Sequence, residues 1–270
     1  ASPQDARSYA QKITDDAWDA DSHEERVKLA HEALGIDPDC VEAYTILAQS
    51  EARTHEAQKA YYEKALAAGE RTLGPKFFKI NKGHFWGMIE SRPYMRARAE
   101  LTQCLWDMGR FEDAVECCRK TLELNTNDNM GMRYVLGGFL VSLGRFKEVE
   151  ALLAKHDDPT AYWEYTRVLL MLKDGRLEEA SELLTEAIKS NRFVPDYLTG
   201  RKLIHRHTGN TITIGGEDEA VSYAEEYIGG WKIVPGAVEW LKKQAYGPAP
   251  VKIGRNDPRP CGSGKKHKKC

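Results

Sequence analysis

Nowhere in this 270-residue sequence does an apolar run approach the ~20 residues needed to cross a bilayer, which excludes a membrane-spanning helix within these residues. The first five residues, Ala1 to Asp5, hold neither the basic cluster nor the apolar stretch of a secretory leader. Together these absences predict a soluble, cytoplasmic chain. There is also no glycine-rich phosphate loop, no His-Glu-x-x-His and no nucleophile elbow. Catalysis is therefore not expected, and an enzyme whose pocket no motif announces is the remaining alternative. Cysteines number only six, and four of them, Cys40, Cys104, Cys117 and Cys118, fall within helical patterns. A disulfide framework does not suit a long, helix-rich chain without a leader. These four are expected in the core as free thiols, which behave as small hydrophobes.

What is abundant is charge. Charged residues make up 30% of the chain and aromatics only 9%, against 41% apolar residues, a mixture typical of helices with one face in solvent. The charge is also uneven. From Gly247 to Cys270 seven basic side chains face the single Asp257, a net +6 against −8 for the remainder of a chain whose formal charge is −2. Such asymmetry speaks to partners rather than to fold.

The main signal is internal repetition. Gly109-Arg110-Phe111-Glu112-Asp113-Ala114, Gly144-Arg145-Phe146-Lys147-Glu148-Val149 and Gly175-Arg176-Leu177-Glu178-Glu179-Ala180 align, their glycines 35 and then 31 residues apart. Each follows one apolar helical run and precedes another: Leu101, Leu105 and Met108 before the first, Val115, Cys118 and Leu122 after it. Spacings of three and four residues mark one buried helix face. Glycine at the joint supplies the positive φ that ends a helix without a Cβ clash. A further joint is Asp37-Pro38-Asp39, where proline closes one helix and opens the next, ahead of Tyr44, Leu47 and Ala48. In this combination and period the sequence resembles the tetratricopeptide repeat, which implies an all-α superhelix of antiparallel helix pairs over 1–243.

Between 70 and 97 the period lapses into an aromatic, basic, glycine-punctuated insertion that includes Phe77, Phe78, His84, Phe85 and Trp86, with Pro93 placed for a first helical turn. It reads as an insertion packed on its neighbours or as a binding loop. In repeats of this kind the first helix of each pair lines a concave groove. By register that surface comprises Gln49, Arg53, Arg96, Gln103, Trp106, Tyr134, Tyr162 and Tyr165, and aromatics beside arginine are enriched at binding hot spots. The expected partner is a protein or peptide. Further on, Gly216 reads as a turn ahead of an acidic first helical turn, Glu217 to Glu219, and Thr211 to Ile214 is the one short β-like alternation.

The runs from Gly83 to Arg98, Ala151 to Asp158, Ala187 to Leu198 and Glu217 to Ala224, with Trp231-Lys232, resemble the suppressor of tumorigenicity seven family over roughly residues 36–241. The resemblance implies a helical-repeat architecture and no catalytic residue. After a Pro-containing linker at 244–253, residues 254–270 resemble the SEC-C motif, a small metal-binding tail, through Asn256-Asp257-Pro258, Pro260 to Lys266 and Lys268-Lys269-Cys270. That resemblance implies zinc in a complete motif and contacts with chaperones, ribosomes or acidic lipid surfaces. Of the motif's ligands Cys261 and Cys270 are in place. Arg259 stands where the family has its first cysteine, and the sequence ends at Cys270, ahead of the fourth position. A closed structural zinc site takes four N or S donors. The +6 charge suits an acidic partner, but no interleaved aromatics offer base stacking, so nucleic acid is not the expected one. The alternative to a groove-binding scaffold is a metal-dependent adaptor in which this tail does the binding.

Overall fold

A computed structural model describes residues 3–156, 158–205 and 211–247. The two cysteines of the tail that the SEC-C resemblance implies as ligands, Cys261 and Cys270, and the whole of 254–270 lie outside the described residues. The chain divides into two compact units, Ala1–Lys155 and His156–Cys270, the boundary falling inside the stretch assigned to a single repeat domain. Among the described residues the fold is all-α, and the one β-type contact is an isolated antiparallel bridge between His84 and Asn125.

The first unit consists of α1 (Pro3–Asp19), α2 (His23–Ile36), α3 (Val41–Ser50), α4 (His55–Asn81), α5 (Arg92–Asp107), α6 (Phe111–Leu124), α7 (Met132–Ser142) and α8 (Phe146–Lys155). Neighbours in sequence pack along their lengths across short connections, a geometry open only to antiparallel pairs. Small residues make this close approach feasible: Ala10, Ala17, Ala30, Ala33 and Ala43 are fully buried, with Ile46 and Leu47 filling between them.

The repeated glycines end their helices in one way. Gly109, Gly144 and Gly175 take φ of 74°, 68° and 73°. In each case the glycine N–H donates to a carbonyl three residues back and the following arginine N–H to one five back: Gly109 to Trp106 and Arg110 to Leu105, Gly144 to Val141 and Arg145 to Leu140, Gly175 to Leu172 and Arg176 to Met171. This is the paired closure of a Schellman turn, which satisfies carbonyls the helix would otherwise orphan. The arginine then pairs with an acid three residues on, Arg110 with Asp113, Arg145 with Glu148 and Arg176 with Glu179. Period, turn and ion pair are one local device used three times.

The insertion is more regular than the lapse in period implies. Residues 70–81 are not irregular but continue α4, broken at Gly74 (φ 71°, ψ 160°) and restarted at Pro75. Glycine reaches that φ without strain, and proline suits a first turn because its missing N–H would have had no helical partner. Irregular backbone is confined to 82–91, with 3₁₀ turns at Phe85–Gly87 and Ile89–Ser91, before Pro93 opens α5. Phe85 is fully buried and meets Phe77 edge-on at 5.4 Å and Phe78 at 5.0 Å, Tyr94 and Met95 closing the cluster. The aromatics of the insertion thus make a local core.

The second unit holds α9 (Ala161–Lys173), α10 (Leu177–Ser190), α11 (Val194–Leu198), α12 (Glu217–Ile233) and α13 (Ala237–Tyr246). Its centre is aromatic: Trp163, Tyr165, Tyr223, Tyr227 and Trp231 are fully buried, Tyr223 and Tyr227 stacking at 4.6 Å. The acidic first turn of α12 forms as its sequence predicts. Its Glu219, however, is buried: it accepts from the Ala161 N–H at the start of α9, from the Asn191 side chain and from the Gly215 N–H. The alternation at Thr211 to Ile214 forms no strand, because it has no neighbouring strand to pair with among the described residues, and Ile212 and Ile214 stay exposed.

Candidate interaction surface and binding pocket

The residues assigned to a groove separate by structure into three sets. Gln49 near the end of α3, Arg53 in the connection after it and Gln103 on α5 are exposed, the Gln103 side chain donating to Asp107 at 2.8 Å. Arg96 is exposed too, but its guanidinium is anchored: Nη2 donates to Glu42 at 3.1 Å. Glu42 is buried and also accepts from the Trp18 indole N–H at 3.0 Å. One buried carboxylate on α3 therefore ties together α1 and α5, the first helices of three successive pairs. Glu42 carries no sequence signal, since it reads as one more acid in a first helical turn.

Trp106 and Tyr134 form an intermediate set, both half-buried. Trp106 stacks on Phe139 of α7, ring centroids 4.0 Å apart and planes 3° from parallel, so its face serves packing between α5 and α7. Tyr134 is covered by Arg133, whose guanidinium sits 4.3 Å from the ring centroid and donates to the hydroxyl. The remaining two need correction. Tyr162 and Tyr165 do not line a surface: they are 4% and 0% exposed, in the second unit's core. Tyr162 donates to Ser222 at 2.7 Å and Tyr165 to the Asn191 carbonyl at 2.6 Å. Burying a tyrosine requires a partner for its hydroxyl, and both have one. Helical register places a side chain on a face, but cannot say whether another helix covers that face.

The irregular part of the insertion forms one wall of a pocket of about 530 Å³, in the size range of ligand sites. The other wall is the α6–α7 loop, Asn125 to Asn129. The Thr126 N–H and hydroxyl both donate to the Gly83 carbonyl, at 2.9 and 3.1 Å, clamping the two segments together. Gly83 takes φ 92° at this junction. On the insertion side, the buried Ser91 hydroxyl donates to the Phe85 and Met88 carbonyls, at 2.5 and 3.0 Å, and fixes the turn. On the other side Asp128 holds a left-handed backbone (φ 48°) and accepts from the Met132 and Arg133 N–H groups at the start of α7, at 2.7 and 2.9 Å. Its capping locks the asparagine loop. His84 and the insertion's aromatics flagged this region in the sequence, whereas the asparagines sat in an unremarkable inter-helix loop.

Among the described residues no group of three or more His, Cys, Asp or Glu side chains is placed to hold a metal ion, and no helix is long and apolar enough to cross a membrane. Comparison with known proteins gives the chain a family. It is 27% identical over 88% of its length to a Suppressor of tumorigenicity 7 protein-like from Gallus gallus, and 26% identical over 84% to one from Homo sapiens. A Protein ST7 homolog from Drosophila melanogaster is 26% identical over 88% of the chain. The chain spans a little under half of each of these relatives, at 47%, 43% and 49% of their lengths. Residues 2–173 match the family described as ST7 protein, a stretch that runs through all eight helices of the first unit and on through α9. The chain belongs to the ST7 protein family.

Proposed function

We infer that this chain is a non-enzymatic protein-interaction scaffold whose binding surface lies on the first helices of the pairs in the first unit. The observation that carries this reading is the Glu42 tie, which holds Trp18 of α1 and Arg96 of α5 on either side of α3 and leaves Arg96, Arg53, Gln49 and Gln103 facing solvent. Guanidinium and amide side chains on a pre-organised surface need little ordering when a partner docks. The three identical glycine turns support reading the pairs as tetratricopeptide repeats, and a cytoplasmic protein or peptide is the partner this reading proposes. A photo-crosslinking residue placed at Gln103 should capture a defined partner in cells, and Arg53→Glu should reduce that yield at least fivefold. Equal capture from Lys120 on α6, or no effect of Arg53→Glu, would overturn the assignment.

A second reading rests on the resemblance of residues 254–270 to the SEC-C motif and on the +6 charge of 247–270. Here the helices serve as platform and the tail recruits a chaperone, a ribosome or another acidic partner. Cys261 and Cys270 supply two of the four donors that a closed zinc site takes, so the donor set within these residues does not by itself fit zinc. Metal analysis of the chain with and without 254–270 separates the readings. A content below about 0.2 metal per chain, against one for a closed site, would end the metal-dependent version.

A further inference from the structure

We propose that the pocket between the insertion and the asparagine loop binds a peptide segment through a single carboxylate and its neighbouring peptide groups. The proposal is independent of the surface on α3 and α5, which lies on other residues.

The first observation is a side-chain amide at the pocket wall that no protein group engages. Asn125 is only 3% exposed and lines the pocket, yet among the described residues its side-chain amide has no hydrogen-bond partner. Its backbone is fully engaged, the N–H donating to the Thr121 and Leu122 carbonyls and the carbonyl accepting from the Asp128 N–H. Its amide atoms stay open to the pocket rather than sealed in the core. A ligand group in the pocket can pair with it as donor or acceptor.

The second observation is a presented, unpaired guanidinium. Arg92 Nε donates to the Trp86 carbonyl at 3.1 Å, and the guanidinium lies 5.4 Å from the Trp86 ring centroid. The backbone bond and the ring fix its plane, and no carboxylate among the described residues engages it. The two terminal nitrogens remain for a fork, the arrangement that pairs with a planar carboxylate through two parallel hydrogen bonds.

The lining then selects between anions. No lysine, acid or second arginine joins Arg92: the other polar contributors are His84, Asn125, Asn127 and Asn129. One fixed positive charge balances a singly charged carboxylate, whereas a phosphate would ask for more cations or a nest of backbone N–H groups. Each asparagine offers a donor beside an acceptor, the complement of a peptide bond, and Trp86 and Met88 give apolar contact for a side chain. The chemistry is that of a short acidic peptide.

The test uses the full chain, labelled with 15N, with the Asn125 side-chain amide signal assigned through Asn125→Ala. The probes are N-acetyl-Gly-Asp-Gly-amide, its Asn counterpart and inorganic phosphate, each titrated to millimolar concentration. The Asp peptide should shift the Asn125 amide, with at least fivefold weaker binding of the Asn peptide and of phosphate. Arg92→Gln should weaken the Asp peptide tenfold or more. Because Arg92 also braces the turn, Asn129→Asp provides a second variant: its exposed side chain is not part of the fold, and the added negative charge should weaken the Asp peptide severalfold while leaving the far-ultraviolet spectrum unchanged. An unmoved Asn125 amide, equal binding of the Asp and Asn peptides, phosphate binding as tight as the Asp peptide, or indifference to Asn129→Asp would each overturn the proposal.

Discussion

Arg145 grips Glu148 through two parallel contacts, Nε to Oε1 at 2.6 Å and Nη2 to Oε2 at 3.0 Å. The same Glu148 accepts from Arg119 on α6, and Arg145 reaches back to Glu112 at 2.8 Å. Among the described residues, the other two copies of the glycine turn pair their arginine only with the acid three residues on. In this one the local pair is built into a network that joins α6 to α8.

That network predicts a pH dependence. Hydrogen bonds from Arg145 and then Arg119 hold the Glu148 carboxyl at about 2, below its ordinary 4.5. A depressed folded-state value stabilises the fold in full above the ordinary value, and the stabilisation fades as pH falls from 4.5 toward 2. Glu148 is more than a third exposed, so solvent screening limits the contribution to ~0.5–1 kcal/mol. Urea unfolding at pH 7 and pH 3 should show Glu148→Gln destabilised at the first and by a smaller margin at the second. An equal deficit at both would mean the carboxylate's charge is not the source.

Glu42 should be worth more than a surface acid. Replacing it with Ala leaves the Trp18 N–H and the Arg96 guanidinium without their acceptor, and should cost about 1–3 kcal/mol. Glu42→Gln keeps an acceptor for Trp18 and should cost less. Thermal unfolding of the two variants checks the order; if both matched the parent, the tie between first helices would carry no weight.

The glycine turns make a conformational prediction. A Cβ at Gly109 or Gly175 would meet nothing within 4 Å, so Ala there should cost only the left-handed backbone penalty, about 1–2 kcal/mol. Gly175→Asn should cost less, since Asn tolerates that region. Equal costs for Ala and Asn in chemical denaturation would point away from φ as the cause.

Burial of Tyr165 predicts a separation of stability from binding. Tyr165→Phe removes the donor to the Asn191 carbonyl and should destabilise by about 1–2 kcal/mol. Crosslinking from Gln103 should not change, because Tyr165 presents no surface. A loss of crosslinking in a chain still folded by circular dichroism would restore it to the interface.

The core thiols should be chemically silent. Burial pushes the Cys40 thiol up to about 11 and raises that of Cys104 as well, and the thiolate is the reactive form. In a Cys261→Ser, Cys270→Ser chain, a thiol-labelling reagent should modify Cys40, Cys104, Cys117 and Cys118 only on unfolding. Rapid labelling of the native chain at neutral pH would contradict their burial.

Much of the fold is local enough to be written in the sequence. Gly109, Gly144 and Gly175 mark helix ends because a positive φ is a property of one residue. Pro93 opens a helix and Glu217 to Glu219 charge another for equally short-range reasons. Cys104, Cys117 and Cys118 could be placed inside because burial of a small hydrophobe follows from helix periodicity; Cys40 is buried too, but at the cap before α3 rather than within a helix. Tertiary structure decided the rest. Tyr162, Tyr165, Gln49 and Gln103 share a register logic, yet the first two are core and the last two surface, because what covers a helix face comes from residues distant in sequence. Asn125 and Arg92 are 33 positions apart in an ordinary loop and an ordinary first turn. They line one pocket because Thr126 is fastened to Gly83, a contact of sequence separation 43 that no local pattern encodes. Composition and period determine which segments are helices; only the closure of distant segments determines which side chains are left facing a ligand.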